Sequence, residues 1–229
     1  MNTKHKKPTL TKKQRHRLRV QQVRRQKIFL TCLFLLIVGC ILLRFPRFSG
    51  RQEETHQINA ACEAYRDEVS SEAAQYDMSD YVDLLLAVMM QESSGQGTDP
   101  MQSSEGAYNA RYPQQPNGIT DPSYSISCGI QELKYALDKA GCTGPTDLSK
   151  IRLALQAYNF GADSYFAYLE ENGQTVWTAQ SAQAFAQMAS GNTQRDEDDP
   201  LHDPAGPWDY GDQYYPDHVL RYYHLDNNS

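Results

Sequence analysis

Two stretches interrupt the mixed pattern of apolar and polar positions along this 229-residue chain. The first is an unbroken apolar run without charge, from Ile28 to Leu43. As a helix it extends about 24 Å at 1.5 Å per residue, slightly short of a hydrocarbon core of about 30 Å. Lys27 and Arg44 flank it and can reach outward, and Phe45 and Phe48 suit an interface. The second is Tyr81-Val82-Asp83-Leu84-Leu85-Leu86-Ala87-Val88-Met89-Met90, which predicts a helix from about Ser79 or Asp80, as N-cap, to Ser93. Leu85, Val88 and Met89 precede Glu92 at helical spacings, so all four share one face. That face is expected to be buried, which brings Glu92 out where core meets cleft, with Gly95 as the helix stop.

Weaker periodicity predicts the remaining elements. Residues 58–76, rich in alanine and mixed charge, favour a helix. Residues 95–122 are dense in Gly, Pro, Asn and Ser and read as an irregular loop. Asp121-Pro122-Ser123 starts a third helix, to about Ala140, and Asp147-Leu148-Ser149 caps a fourth over residues 150–170. Thr178 to Ser190 reads as a fifth. Residues 191–213 form another loop, and Val219 to His224 a short last helix. No alternating strand pattern and no repeat stands out, so the fold class is all-α.

Charge divides the chain. Residues 1–27 hold eleven Lys or Arg and no acidic residue, whereas residues 44–229 hold eleven basic residues and all 28 acidic ones. A basic leader before an apolar helix sets topology by the positive-inside rule, so the N-terminus is expected in the cytoplasm and the acidic part outside. A cleaved signal peptide is the rival. The long leader, and Arg44-Phe45-Pro46-Arg47-Phe48 in place of an Ala-x-Ala site, favour an uncleaved signal anchor. The expected organisation is a cytoplasmic segment (1–27), a single N-terminal transmembrane helix (28–43), a linker (44–57) and one extracellular domain (58–229). The anchor already explains the basic leader, so no nucleic-acid partner is expected.

Cys32 and Cys40 fall in the membrane segment, leaving Cys62, Cys128 and Cys142 outside. At most one bridge can form among three, and Cys128 with Cys142 is the pair considered. The run Asp196-Glu197-Asp198-Asp199 lacks the ligand spacing of an EF-hand and reads as a solvated loop. There is no Gly-x-Ser-x-Gly elbow, no P-loop, and no His-x-x-x-His pair with a glutamate, and no metal or organic cofactor is expected.

What remains is a set of polar clusters beside helices. They are Glu92-Ser93-Ser94-Gly95, Asp99-Pro100-Met101-Gln102-Ser103-Ser104-Glu105, Asp121-Pro122-Ser123-Tyr124-Ser125-Ile126-Ser127-Cys128-Gly129, Ala157-Tyr158-Asn159-Phe160-Gly161 and Tyr214-Tyr215-Pro216-Asp217-His218-Val219-Leu220-Arg221-Tyr222-Tyr223. One acid, amide and hydroxyl donors and many aromatic rings suit a glycan, whose C–H faces pack on rings while its hydroxyl and acetamido groups pair with amides.

In that order and spacing the motifs resemble the soluble lytic transglycosylase and goose-type lysozyme group, and more closely the CwlT-type lysozyme-like domain of Gram-positive bacteria. The resemblance covers residues from about 60 to 225. It implies a lysozyme-like helical domain and a peptidoglycan substrate, with Glu92 as catalytic acid. Gln102 is implied as a contact to substrate sugar. Tyr158 and Asn159 shape the site around the glutamate, with Tyr158 in reach of the Glu92 carboxyl, and Gly161 permits close backbone approach. Ser103, Ser104 and Glu105 match the middle motif, and Tyr222 of the last aromatic cluster is counted with the substrate-binding residues. Some CwlT-type proteins continue into a cysteine-peptidase domain. This sequence ends at Ser229, and only the glycan-cleaving half is expected.

The chemistry expected is cleavage between N-acetylmuramic acid (MurNAc) and N-acetylglucosamine (GlcNAc), with Glu92 protonating the bridging oxygen. Glycosidases usually pair such an acid with a second carboxylate. Glu105, Asp99 and Asp121 are the candidates, Glu105 first by motif position. Water attack gives a lysozyme product, and internal attack by a sugar hydroxyl gives the anhydro product of a lytic transglycosylase. A non-catalytic wall-binding module is the rival of another class. The partners expected are peptidoglycan strands and the membrane, with the protein acting as a monomer.

Overall fold

The computed structural model describes residues 56–225, so segment 1–27, the anchor expected over 28–43 and nearly all of the linker lie outside the described residues. Among the described residues every regular element is helical, and no helix is long and apolar enough to cross a membrane.

The helix expected over 58–76 is interrupted. Asn59 accepts the Cys62 N–H at 2.8 Å and starts α1 (Ala60–Glu63). Then follow α2 (Arg66–Ala73) and a 3-10 turn over Ala74–Tyr76, which Asp77 ends at φ +58°. A second 3-10 turn over Ser79–Tyr81 leads into α3 (Val82–Ser93), close to expectation. Its stop is Ser94 at φ +55°, one residue before Gly95.

Helix α4 (Pro122–Ala140) starts as the sequence predicts. The Asp121 carboxylate accepts the Ser123 and Tyr124 N–H groups, Pro122 occupies the first turn, and Gly141 closes the helix at φ +70°. The helix expected over 150–170 divides into α5 (Leu148–Phe160), capped by Asp147, and α6 (Ala162–Glu171). Gly161, at φ +85°, is the divide. The close backbone approach expected there is absent, since a Cβ on Gly161 would meet nothing within 4 Å. Glycine is needed for the positive φ alone.

Helix α7 (Ala179–Ala189) carries a capping box between Thr178 and Ser181. The loop over 191–213 contains a one-turn α8 (His202–Ala205) and one bridge between Gln194 and Trp208. Arg195 orders it. The residue is 9% exposed, and its guanidinium donates to the carbonyls of Gly206, Trp208 and Gly211 at 2.6, 2.5 and 2.8 Å. The last helix, α9, is Tyr215–Leu220, four residues earlier than Val219, with Pro216 in its first turn.

Leu84 through Met89 are all buried, so α3 is covered around its whole circumference and not on one face. Helices α1, α2 and α9 pack against it, while α5 packs against α4, α6 and α9. A second apolar centre gathers the rings of Phe160, Tyr165, Phe185 and Tyr210 at centroid distances of 5.1–5.9 Å. Cys62, Cys128 and Cys142 are free thiols, so the bridge considered between Cys128 and Cys142 is not formed.

Candidate active site

Glu92 lies in the last turn of α3, half-buried where the loop over 95–121 meets α9. Burial pushes its carboxyl up to about 7. Tyr215 opposes the rise by hydrogen bonding, and the carboxylates of Asp212, Asp99 and Glu132 add to it. The Tyr215 hydroxyl donates to Glu92 Oε1 at 2.5 Å. Near neutral pH this acid is therefore poised between holding and losing its proton, as a general acid requires.

Tyr215 holds the place expected of Tyr158. Tyr158 instead donates to the Met101 carbonyl at 2.8 Å, and its ring stacks on Tyr215 with centroids 6.4 Å apart. It reaches Glu92 only through that second tyrosine. Burial raises both phenols well above their usual range, so both stay neutral donors. The signal for Tyr215 was Pro216, which marks a helix start. With the last helix placed from Val219 onward, Tyr215 fell outside it.

The loop before α4 hangs on Asp99, which is 1% exposed. Its carboxylate accepts the Ser103 and Ser104 N–H groups at 3.0 and 3.1 Å, the Ser125 hydroxyl at 2.6 Å, and the Ser104 hydroxyl. Ser104 Oγ in turn accepts the Ile119 N–H at 2.8 Å, and Ser125 Oγ that of Met101 at 3.1 Å. Ser103 and Ser104, expected against substrate, are each 1% exposed and engaged in holding the loop. Gln102 is exposed and left-handed at φ +49°, with its amide on the Asp99 carbonyl and on Asn117 Oδ1, both at 3.0 Å. A non-glycine residue held in that region marks a site whose surroundings impose it.

Asn159 turns toward the C-terminal segment, where its Oδ1 accepts the Asp212 N–H at 2.8 Å. Glu105 is exposed, with no bond to Glu92. Tyr222 lies edge-on to His56 at 5.6 Å and under the Arg221 guanidinium, which donates to Gln91. The structure thus gathers Glu92, Tyr158, Asn159 and the loop bearing Gln102, and leaves Glu105 and Tyr222 outside that network.

None of the three acidic groups expected as a second carboxylate is free beside Glu92. Asp99 is committed to the loop, Asp121 caps α4, and Glu105 faces solvent. Two further carboxyls lie near Glu92. Glu132 on α4 is pushed up to about 7 by burial, and its Oε1 is enclosed without a hydrogen-bond partner. It fits only because residue 106 is glycine, where a Cβ would stand 1.5 Å from that oxygen. Asp212 faces His218, its Oδ2 lying 2.5 Å from Nδ1. A glutamate inside a helix and an aspartate in a loop carry no sequence signal of their own.

Among the described residues no three metal-ligating side chains are gathered. A separate open groove of about 490 Å³ lies between α4, α5 and α6, lined by Lys139, Leu153, Asp163, Phe166 and Glu170 among others and by none of the residues above.

A family model described as lysozyme-like matches residues 60–223. The bifunctional muramidase/DL-endopeptidase CwlT of Bacillus subtilis is 36% identical over 169 residues, 74% of this chain and 44% of that protein. The uncharacterized membrane protein YocA of the same organism is 39% identical over 111 residues, 48% of this chain and 45% of that one. Pneumococcal vaccine antigen A of Streptococcus pneumoniae is 31% identical over 145 residues, 62% of this chain and 65% of that one. The matched region thus spans less than half the length of the first two relatives. Among solved structures, a chain from Staphylococcus aureus titled as similar to a lipoprotein of the NLP/P60 family superimposes with a TM-score of 0.61. It is 27% identical, and the match covers 76% of this chain and 56% of that one.

Proposed function

The chain belongs to the lysozyme-like family, with a domain of the CwlT type, and from that premise we propose that it is a muramidase acting on peptidoglycan. The observation that carries the reading is the Glu92 carboxyl, half-buried, raised to about 7 and held by Tyr215 beside an exposed polar loop. In the proposed reaction Glu92 donates its proton to the oxygen bridging MurNAc and GlcNAc, and the C1–O bond breaks as positive charge develops on the muramic ring. Tyr215 fixes the carboxyl. Gln102 at the rim, with its amide near Asn117, is proposed to meet sugar hydroxyl or acetamido groups.

Glu92→Gln tests the reading. Purified cell wall is incubated with wild type and variant, and the soluble products are identified by mass spectrometry. The expected result is release of fragments ending in reducing MurNAc by wild type, and at least about a thousandfold less by the variant. Anhydro-muramic ends from wild type would make the enzyme a lytic transglycosylase. Wall binding without release, equal for both proteins, would make it a binding module.

The membrane anchor over residues 28–43 belongs to the same proposal, with the N-terminus in the cytoplasm and the domain outside as a monomer. The uncharged run behind eleven basic residues supports it, as does the name of a relative, a membrane protein. Full-length chain should sediment with membranes and resist carbonate extraction, whereas residues 50–229 should remain in the supernatant. Sedimentation of both alike would remove the anchor from the account.

A further inference from the structure

The end of α3 is gripped from outside the helix at every residue from Gln91 to Gly95. Gln91 Oε1 accepts from the Arg221 guanidinium at 3.0 Å, Glu92 accepts from Tyr215, and the Ser93 hydroxyl donates to the Pro100 carbonyl at 2.8 Å. The last two residues are held by the segment that opens the domain. Asn59 Nδ2 donates to the Ser94 carbonyl at 3.0 Å. Gly95, at φ +72°, lies so close to α1 that a Cβ would stand 2.7 Å from the Cys62 nitrogen and 2.9 Å from the Ala61 carbonyl carbon. Glycine is required there twice, for the left-handed backbone and for the approach.

Asn59 works in both directions. Its Oδ1 accepts the Cys62 N–H at 2.8 Å and so caps α1, while its Nδ2 reaches a carbonyl 35 positions away. That carbonyl follows Glu92 by two residues, at a helix end whose carbonyls lack partners within the helix. The last turn of α3 cannot shift without breaking this bond or driving Gly95 into α1. The opening segment is fixed at its other end as well. The His56 carbonyl accepts from His224 Nε2 at 3.0 Å, and the His56 ring meets Tyr222 edge-on at 5.6 Å. Asn59 bonds only backbone, whereas the Glu92 carboxyl bonds Tyr215.

We propose, resting on the muramidase reading above, that Asn59 is a positioning residue for Glu92: with Gly95 it clasps the end of α3 to α1, and so sets where the catalytic carboxyl stands between Tyr215 and the bridging oxygen of the sugar. A carboxyl whose backbone drifts loses its line to that oxygen, and about 1 Å of misplacement costs about a hundredfold in rate. It also gains water. Burial is the largest cause of the raised carboxyl, so a loosened Glu92 loses its proton at lower pH. Tyr215, Asp212, Asp99 and Glu132, the other groups acting on it, are left in place by a change at Asn59.

The experiment uses full-length protein and purified glycan strands. Asn59→Ser keeps an oxygen that caps α1 as well as asparagine does, but has no Nδ2 for the Ser94 carbonyl. It should lower kcat about ten- to a hundredfold at unchanged KM. The alkaline midpoint of kcat/KM should move down from about 7, with a melting temperature lower by about 2–4 °C at most. Gly95→Ala, which presses α1 away, should move the midpoint the same way, and Asn59→Ser carries the test alone should Gly95→Ala lose its fold. Carbon-13 NMR of the Glu92 carboxyl, assigned by its loss in Glu92→Gln, follows the same titration without any turnover. Wild-type kcat in Asn59→Ser would overturn the inference. So would a slower Asn59→Ser whose midpoint and carboxyl titration stay at the wild-type values, since Asn59 would then be structural only. A wild type as inert as Glu92→Gln would instead overturn the muramidase reading, and the carboxyl titration would still decide whether Asn59 places Glu92.

Discussion

The Glu92 proton responds to burial and to four neighbours, Tyr215, Asp212, Asp99 and Glu132. Burial raises the carboxyl to about 7, so the acid form is full below that pH and is lost as pH rises through it. Turnover should therefore fall on the alkaline side with a midpoint near 7, read from a pH profile of kcat/KM. The Tyr215 hydroxyl works the other way, since a donor favours the ionised form. Tyr215→Phe removes it, so the alkaline midpoint should move upward, with a modest loss of rate as the carboxyl gains freedom. A downward move would show that the tyrosine does not hold the ionised form. The same residues show where the sequence was legible. Glu92 was marked by an apolar run ending in an acid. Tyr215, Asp212 and Glu132 act through partners 123, 53 and 26 positions away in the chain, such as Glu92, Asn159 and Gly106, and no local pattern records such pairings.

At the level of elements, the capped ends of α4 and α7 were readable, and α3, without a side-chain cap, was readable from its apolar run. Asp121-Pro122 and Gly141 bracket α4, and Thr178 with Ser181 opens α7, because those side chains satisfy end groups that the helix leaves unpaired. The run over 58–76 has good propensity throughout, yet it breaks after α1 and stops where Asp77 turns left-handed. Propensity alone did not place those breaks. The loop over 95–121 was recognised as irregular, but its order depends on one buried carboxylate, which composition does not mark. Asp99→Ala leaves two backbone N–H groups and two hydroxyls without their acceptor, and should lower stability by about 3–5 kcal/mol in chemical denaturation. Gly106→Ala presses a methyl group into Glu132 and should cost about 1–3 kcal/mol. Adding Glu132→Ala should recover part of that loss, and a double variant no more stable than Gly106→Ala would exclude the contact as its cause.

For the molecule as a whole, two half-buried carboxyls dominate the response to pH above the usual carboxylate range. Glu92 and Glu132 are both raised from 4.5 to about 7, so between those values the folded chain holds more protons than the unfolded one. Stability must then decrease as pH rises across that window, by at most about 3 kcal/mol for each group. Exposed pairs such as Lys139 with Asp163 act in the opposite sense, but solvent screens them. Melting temperature should therefore be higher at pH 5 than at pH 8, and Glu132→Gln should flatten the slope. With Cys62, Cys128 and Cys142 free among the described residues, added reductant should leave the melting temperature of the domain unchanged.

The hydroxyl that grips Glu92 comes from the far side of a long connection, 123 residues downstream. A nascent chain therefore carries its acid through 123 further residues before the matching donor is made. A cut between Gln194 and Trp208 would break the covalent link to that donor and leave α9 held only by its packing on α3 and α5. On the proposed reading, the acid that drives the reaction stays unsupported until that last segment has folded against it.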